Sequence, residues 1–449
     1  MASTYLKRTN GTPTNDKIGT ISVWFKRSKL GSDQRIHMNF ADSSNYGYMK
    51  LHGDNYFHVV GVSSGSESTH VKTNRLFRDT NAWYHLVVAI DTTQATASDR
   101  TKFYINGVQE TSLAQSDYPS QNLAHPLLIA SGSNYHTVGS AENGTVSFDG
   151  SMSHFHKCDG TALAPTVFGS TDSTTGEWKI NTSPSFTVGN TGYTILKDGN
   201  TITDQSSNSN DFTLGGGTLT KTEDCPSNVF PTINPLTYST TKWNIINGNL
   251  KTNGLASGES AAWRSVYGTL GASSGKYYFE MKVTKTASDP NNFRVGIVDA
   301  EQMKYAGDNA SFINESRGYG YQGTNGNVVN GGANTSYGNS YTANDIIGCA
   351  FDLDNHKIYF SKNGTWQNSG DPTSGATGTG SALNLATGYT YLPAVSHYYD
   401  DDRIEFNFGN GYFGTTAVAS AGTNASGIGI FEYDVPTGYT ALSTKGLNL

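Results

Sequence analysis

The chain has 449 residues, room for roughly two to four domains, and its 35% hydrophobic and 15% charged residues lie below the usual globular values. Its 26 Tyr, 20 Phe and 6 Trp exclude disorder, 51 Gly and few helix formers exclude a helical fold, and a net charge of −7 without long runs excludes the basic stripe of a nucleic-acid binder. No apolar run approaches the roughly 18 residues of a membrane span. Cys158, Cys225 and Cys349 are odd in number and far apart, unlike a disulfide framework or a zinc knuckle. The first residues lack a signal-peptide core, which predicts folding in a cytosol.

In chain order, 18–27 alternates with Ile21, Val23 and Phe25 on one face, and 83–90 is an apolar run that predicts a central strand. Residues 101–105 are followed by Asn106-Gly107, a hairpin pair because both positions of the tight turn need positive φ. Strands are expected at 127–130 and 146–155, and one helical turn near Pro165. Residues 198–217 are rich in Asp, Asn, Ser and Gly, and 223–240, with Pro226, Pro231 and Pro235, reads as a linker. Strands resume at 276–284, with Tyr277, Phe279, Met281 and Val283 opposite Tyr278, Glu280 and Lys282. They continue at 293–298, 345–353, 357–361, 391–397 and 403–408, with turns at Asp354-Asn355 and Asn363-Gly364 and a surface loop at 368–381. The fold class is all-β: two antiparallel β-sandwich (jelly-roll) domains at 1–222 and 241–430, a linker at 223–240 and a C-terminal tail at 431–449.

The strings ISVWFKRS, WYHLVVAID, KFYINGV and FDGSMSHFHKCDGTALAPTVFG resemble the laminin-G/concanavalin A-like lectin superfamily over about residues 15–220. The family's late strand usually carries an acidic pair where this chain has Ser153-His154. The piece DGNTITDQSSNSNDFTLGG, 198–216, resembles a segment that often opens such a domain, and its late position predicts that it returns to complete the first sandwich. Residues 240–415, with SSGKYYFEMKV, FRVGIVDA, DIIGCAFDLDNHKIYFSKNGTW and LPAVSHYYDDDRIEFNFG, resemble a SPRY domain, which implies a bent sandwich whose loops bind proteins or peptides. The order of the two halves resembles accessory virion proteins of tailed bacteriophages. That resemblance implies a virion component assembled in the host cytoplasm: a capsid decoration, head fibre or tail fibre. The partners it implies are other virion proteins, copies of the chain and host-surface glycans, with no nucleic acid and no membrane insertion.

A retaining glycosidase on such a scaffold needs two carboxylates about 5–5.5 Å apart, hence acids two and four apart on a strand. The chain has no such pattern: 142–149 spaces its acids wrongly, and Asp400, Asp401, Asp402 and Glu405 read as a polar loop before a strand. No nucleophile-elbow, zincin or phosphate-loop motif occurs. The chain therefore reads as non-catalytic, with a glycan-cleaving enzyme or a purely structural capsid cement as rivals. No cofactor is required. A structural Ca²⁺ is the ion the fold resemblance implies, and Asp198, Asp204, Asn208, Asn210 and Asp211 offer it hard oxygens; the alternative is a solvated turn bonded to its own backbone. His154 and His156, with His136, offer metal nitrogens or else a hydrogen-bonded pair. Lys26, Arg27 and Lys29 read as a solvated turn rather than a phosphate site. Tyr46, Tyr48, Tyr56 and Tyr135, and in the second half Tyr319, Tyr321, Tyr337, Tyr341, His397, Tyr398 and Asp400, are the candidate ligand-binding residues, since Tyr is a large, rigid contact residue with a polar tip; the alternative is packing on sheet faces.

Overall fold

A computed structural model describes residues 4–129, 135–197, 201–236, 243–255, 262–285, 292–303, 311–399 and 402–449. Asp198 and Asp400 lie outside them. The chain forms two compact units, Met1–Lys221 and Thr222–Leu449, each all-β with short 3₁₀ turns. Among the described residues no helix is long and apolar enough to cross a membrane.

In the first unit an eight-stranded sheet runs in the order Leu113–Asp117, Ser66–Leu76, Tyr56–Ser63, Asn45–Leu51, Gln34–Asp42, Tyr135–Val138, Tyr5–Thr9, Thr213–Gly216. A six-stranded sheet runs Tyr193–Ile195, Gly150–Asp159, Ile18–Arg27, Tyr84–Asp91, Thr101–Ile105, Val108–Gln109. Alternation selects the shared core: Ile21, Val23 and Phe25 from one sheet meet Ile36, Met49, Leu51, Phe57 and Val59 from the other. The opposite face of Ile18–Arg27 is buried as well. Trp24 stacks on His85 at 4.8 Å, and Trp178 stacks on the same imidazole and donates to its Nδ1 at 2.9 Å. The hairpin forms at Asn106-Gly107, with φ of 48° and 80°. Residues 201–216, the described part of that segment, do return to this unit: Thr213–Gly216 pairs with Tyr5–Thr9 and Phe212 enters the core.

Two expected strands differ. At 127–130, Leu127 and Leu128 sit in a turn after Pro126, fully buried as a plug in the core, while Asn39 Nδ2 holds the Pro126 carbonyl at 2.7 Å. The plug requires Gly47, where a Cβ would lie 2.7 Å from the Leu127 nitrogen. The strand expected at 146–155 runs Gly150–Asp159 instead, because its pairing with Ile18–Arg27 continues to Gly19 beyond a bulge at 153–156.

In the second unit the larger sheet places Lys276–Lys285 between Arg403–Asn407 and Ile346–Asp352, followed by Lys357–Lys362 and Thr365–Trp366. The smaller runs Arg264–Tyr267, Tyr391–His397, Phe293–Asp299, Gly318–Gln322, Asn327–Asn330, Ala333–Ser336. Tyr277, Phe279, Met281 and Val283 fill the space between them. The ends differ from expectation. Phe230 and Ile233, read as linker, are buried core residues. The expected tail is structural: Phe431, Val435, Tyr439 and Ala441 cover Tyr278, and Thr440–Ala441 pairs in parallel with Lys276–Lys285. Apolar side chains spaced among Gly and Pro gave no strand period, so their burial was hidden.

Candidate functional site

The outer face of the first unit's large sheet carries an ordered row of aromatic side chains. Strand alternation turns Met49 and Leu51 inward and Tyr46, Tyr48 and Lys50 outward. Register then places Tyr135 opposite Phe40 and Phe40 opposite Tyr46, so three neighbouring strands align their rings. Phe40 lies 5.3 Å from Tyr135 and 6.4 Å from Tyr46, and Tyr46 lies 6.2 Å from Tyr48 at an interplanar angle of 12°. All four rings are half-buried. Cations flank the row: Lys7 Nζ lies 3.8 Å from the Tyr135 ring centre and the Arg35 guanidinium 3.8 Å from that of Tyr48. Burial pushes the Tyr48 phenol up, so it stays neutral. Tyr56 sits further along, under Lys72 at 4.2 Å. Such a strip offers apolar ring faces with hydrogen-bond donors at its margins.

The second-unit candidates separate. Tyr319, Tyr321, Tyr337 and Tyr341 are 3%, 0%, 8% and 1% exposed, in the core rather than on a contact surface. Their hydroxyls are bound to backbone: Tyr319 accepts from the Ala386 nitrogen at 2.9 Å, Tyr321 donates to the Asn339 carbonyl, Tyr337 accepts from the Phe360 nitrogen at 3.1 Å, and Tyr341 donates to the Tyr321 carbonyl at 2.9 Å. A phenol can enter a core when its tip finds a backbone partner, and the Gly-rich context concealed this. His397 is fully buried beside Thr252 Oγ1 at 3.1 Å, and burial lowers its pKa to about 3. Tyr398 remains half-buried at the surface, 5.3 Å from Trp263, whose ring carries the Arg294 guanidinium at 3.4 Å. Trp263 and Arg294 were not legible as partners, because they meet only through the pairing of distant strands with Tyr391–His397.

The described residues of the expected calcium set are bonded within the protein; Asp198 lies outside them. Asp204 Oδ1 accepts from the Thr194 and Ser206 nitrogens, each at 2.9 Å, and Oδ2 from Ser206 Oγ and the Asn210 nitrogen, each at 2.8 Å. Its lone pairs are thus committed to protein donors. Asp211 Oδ1 accepts from the Asp204 nitrogen at 2.8 Å, and Asn208 and Asn210 turn their amide groups to the Gly192 carbonyl. This is a turn that ties the returning segment to the sandwich. The histidines are likewise dispersed: His136 stacks on His37 inside the core and meets Lys157 Nζ at 3.1 Å, whereas His156 bonds Thr194 Oγ1 and His154 bonds Ser153 Oγ. Arg27 is buried rather than a solvated turn, donating to the Phe77 carbonyl at 2.7 Å. A surface cleft of about 510 Å³ lined by Thr14, Asp159, Phe186, Asn190 and Asn208 has one carboxylate, and both Asp159 oxygens accept protein hydrogen bonds.

The sequence matches the concanavalin A-like lectin/glucanases superfamily over residues 2–167 and the SPRY domain family over residues 276–411. It is 41% identical over 73 residues to the Arabidopsis thaliana E3 ubiquitin-protein ligase RKP, covering 16% of this chain and 5% of that protein. It is 32% identical over 108 residues to the Drosophila melanogaster Ran-binding proteins 9/10 homolog, covering 24% and 10%. The chain thus spans a small fraction of the curated relatives it matches. Among solved structures it is similar to the SPRY domain of human HERC1, with 17% identity, a TM-score of 0.30 and coverage of 39% of this chain and 96% of that one. It is also similar to a heptameric SAP-like pentraxin from Limulus polyphemus, with 15% identity, a TM-score of 0.27 and coverage of 36% and 71%.

Proposed function

We propose, from the premise that the chain carries a concanavalin A-like domain followed by a SPRY domain, that it is a non-catalytic binding protein. In this reading the first domain holds carbohydrate chains on the outer face of its large sheet. The observation that carries it is the row Tyr135, Phe40, Tyr46 and Tyr48, aligned by register and flanked by Lys7 and Arg35. Sugar rings present C–H faces that pack on aromatic faces, and their hydroxyls and carboxylates take donors such as Arg and Lys. A row of rings spread over three strands suits a polymer that meets several of them at once. The setting we infer is a bacteriophage virion, as a decoration or fibre component, where many copies on one particle would raise the effective affinity. The order of the two domains and their signature strings support that setting. The second domain, with Tyr398, Trp263 and Arg294 clustered at its surface, would then dock other virion proteins.

The test is equilibrium binding of host-surface polysaccharide to the intact chain and to a Tyr46→Ala/Tyr48→Ala double variant. Loss of about tenfold in affinity with a retained cooperative melt is expected, since aromatic contacts contribute about 0.5–1.5 kcal/mol each beyond area. Unchanged binding, or none by the intact chain, overturns the glycan reading. Release of reducing ends would replace it with a glycan-cleaving enzyme. Immunogold labelling of purified particles tests the setting, and protein confined to infected-cell lysate overturns it.

A further inference from the structure

We infer that the same sheet face holds a separate site, in which His52, Asp54 and His58 form a three-ligand cradle for a divalent transition-metal ion, with Zn²⁺ as the reference ion and one coordination position open to solvent. Each residue offers one ligand atom, and these atoms lie within 4.8 Å of one another. A tetrahedral zinc site needs ligand atoms about 3.3–3.5 Å apart, given Zn–N bonds of about 2.0–2.1 Å. The required contraction falls on His52 and Asp54, which lie in the turn between Asn45–Leu51 and Tyr56–Ser63 and whose side chains are each 39% exposed. His58 is the fixed member, 5% exposed on the strand beyond.

The hydrogen-bond chain behind His58 sets which of its nitrogens carries a lone pair. The Glu67 carboxylate only accepts, so His70 Nδ1, 3.0 Å from Glu67 Oε1, donates to it. His58 Nδ1 lies 3.0 Å from His70 Nε2; when His70 is neutral its Nε2 accepts, and His58 Nε2 keeps its lone pair. That atom is buried without a hydrogen-bond partner. Carboxylate–imidazole support of this kind is how metal-binding histidines are oriented.

Lys50 is paired with Asp33 at 2.7 Å, and Lys72 holds Asp54 Oδ2 at 3.2 Å, which leaves Asp54 Oδ1 to the cradle. Asp54 Oδ1 meets His52 Nδ1 at 2.7 Å, the contact the ion would replace. Two imidazoles and one carboxylate suit zinc, cobalt or nickel over calcium or magnesium. The inference does not rest on the carbohydrate reading, whose residues are not ligands here.

The experiment uses the full chain stripped with EDTA, titrated with Zn²⁺ by calorimetry and with Co²⁺ by visible absorption. One saturable ion per chain with tetrahedral Co²⁺ bands is expected. His52→Ala and Asp54→Asn, both at the exposed turn, should each weaken binding tenfold or more while the metal-free melting temperature holds. His70→Ala should weaken it about 10–100-fold, the usual cost of losing an outer-shell partner. Tyr46→Ala/Tyr48→Ala should bind as the parent does. Absence of saturable binding, or binding unchanged in His52→Ala, overturns the site.

Discussion

Glu280 is fully buried on the face of Lys276–Lys285 that the sequence pattern marks as polar. Its Oε1 accepts from Tyr278 Oη at 3.1 Å and the Tyr433 nitrogen at 2.9 Å, and its Oε2 from Asn407 Nδ2 at 3.1 Å and the Glu432 nitrogen at 2.9 Å. Desolvation outweighs these donors and raises its pKa from 4.5 to about 7. A carboxyl whose folded pKa is raised binds more protons folded than unfolded, so its contribution is fully present below about pH 4.5 and declines as pH rises through about 7. Glu280→Gln removes that titration and points an N–H₂ at donors that need acceptors. The expected cost is about 1–3 kcal/mol in denaturant unfolding, the usual penalty for unsatisfied buried groups, with a flatter stability profile between pH 5 and 7. An unchanged profile would mean that Glu280 does not titrate in this range.

The segment that supplies two of those donors is an element the sequence disguised. Phe431, Val435, Tyr439, Ala441 and Leu442 are buried, and Thr440–Ala441 lies parallel to Lys276–Lys285. Truncation after Ile430 would expose Tyr278 and leave Glu280 without the Glu432 and Tyr433 nitrogens. The expected outcome is a chain that loses the second unit's cooperative melt and aggregates; a soluble, normally melting truncation would show the segment to be dispensable. The same element marks the limit of what was legible. Alternation revealed Ile18–Arg27 and Lys276–Lys285, and Asn106-Gly107 and Asn363-Gly364 marked the hairpins after Thr101–Ile105 and Lys357–Lys362, because side-chain period and positive φ are local properties. Which face is covered is not local. Tyr278 looked solvent-facing until 431–449 folded over it, and Tyr319 and Tyr321 looked displayed until their hydroxyls found backbone partners. Of the candidate surfaces, Tyr46, Tyr48 and Tyr135 stand half-buried on an outer face as the pattern suggested, but Phe40, Arg35 and the His52–His58–His70 group required the strand register, which the sequence does not print.

Across the whole chain the two units differ in the groups they bury, and that difference predicts unequal responses to mild acid. In the first unit burial lowers the pKa of His37, His85 and His125 to about 3 and holds His136 and His156 well below 6.5. Among the described residues of the second unit, His397 is the one histidine so shifted. Each such imidazole stays neutral when folded but protonates near 6.5 when unfolded, so the unfolded state binds more protons and stability falls as pH drops below about 6.5. The slope approaches about 1.4 kcal/mol per pH unit for each histidine. Lys157, buried and lowered to about 7 by desolvation, acts in the same sense higher up: its burial costs most below about 7 and least above 10.5. In the second unit Glu280 acts the other way, gaining as pH falls from about 7. Calorimetric scans of the intact chain at pH 7.5 and at pH 5.2, above the range where most carboxylates titrate, should therefore separate two transitions. The first unit's should move down by about ten degrees or more, while the second unit's, identified by its sensitivity to Glu280→Gln, should fall much less or rise. Two transitions that descend together would mean that the buried histidines of the first unit are not held neutral by the fold.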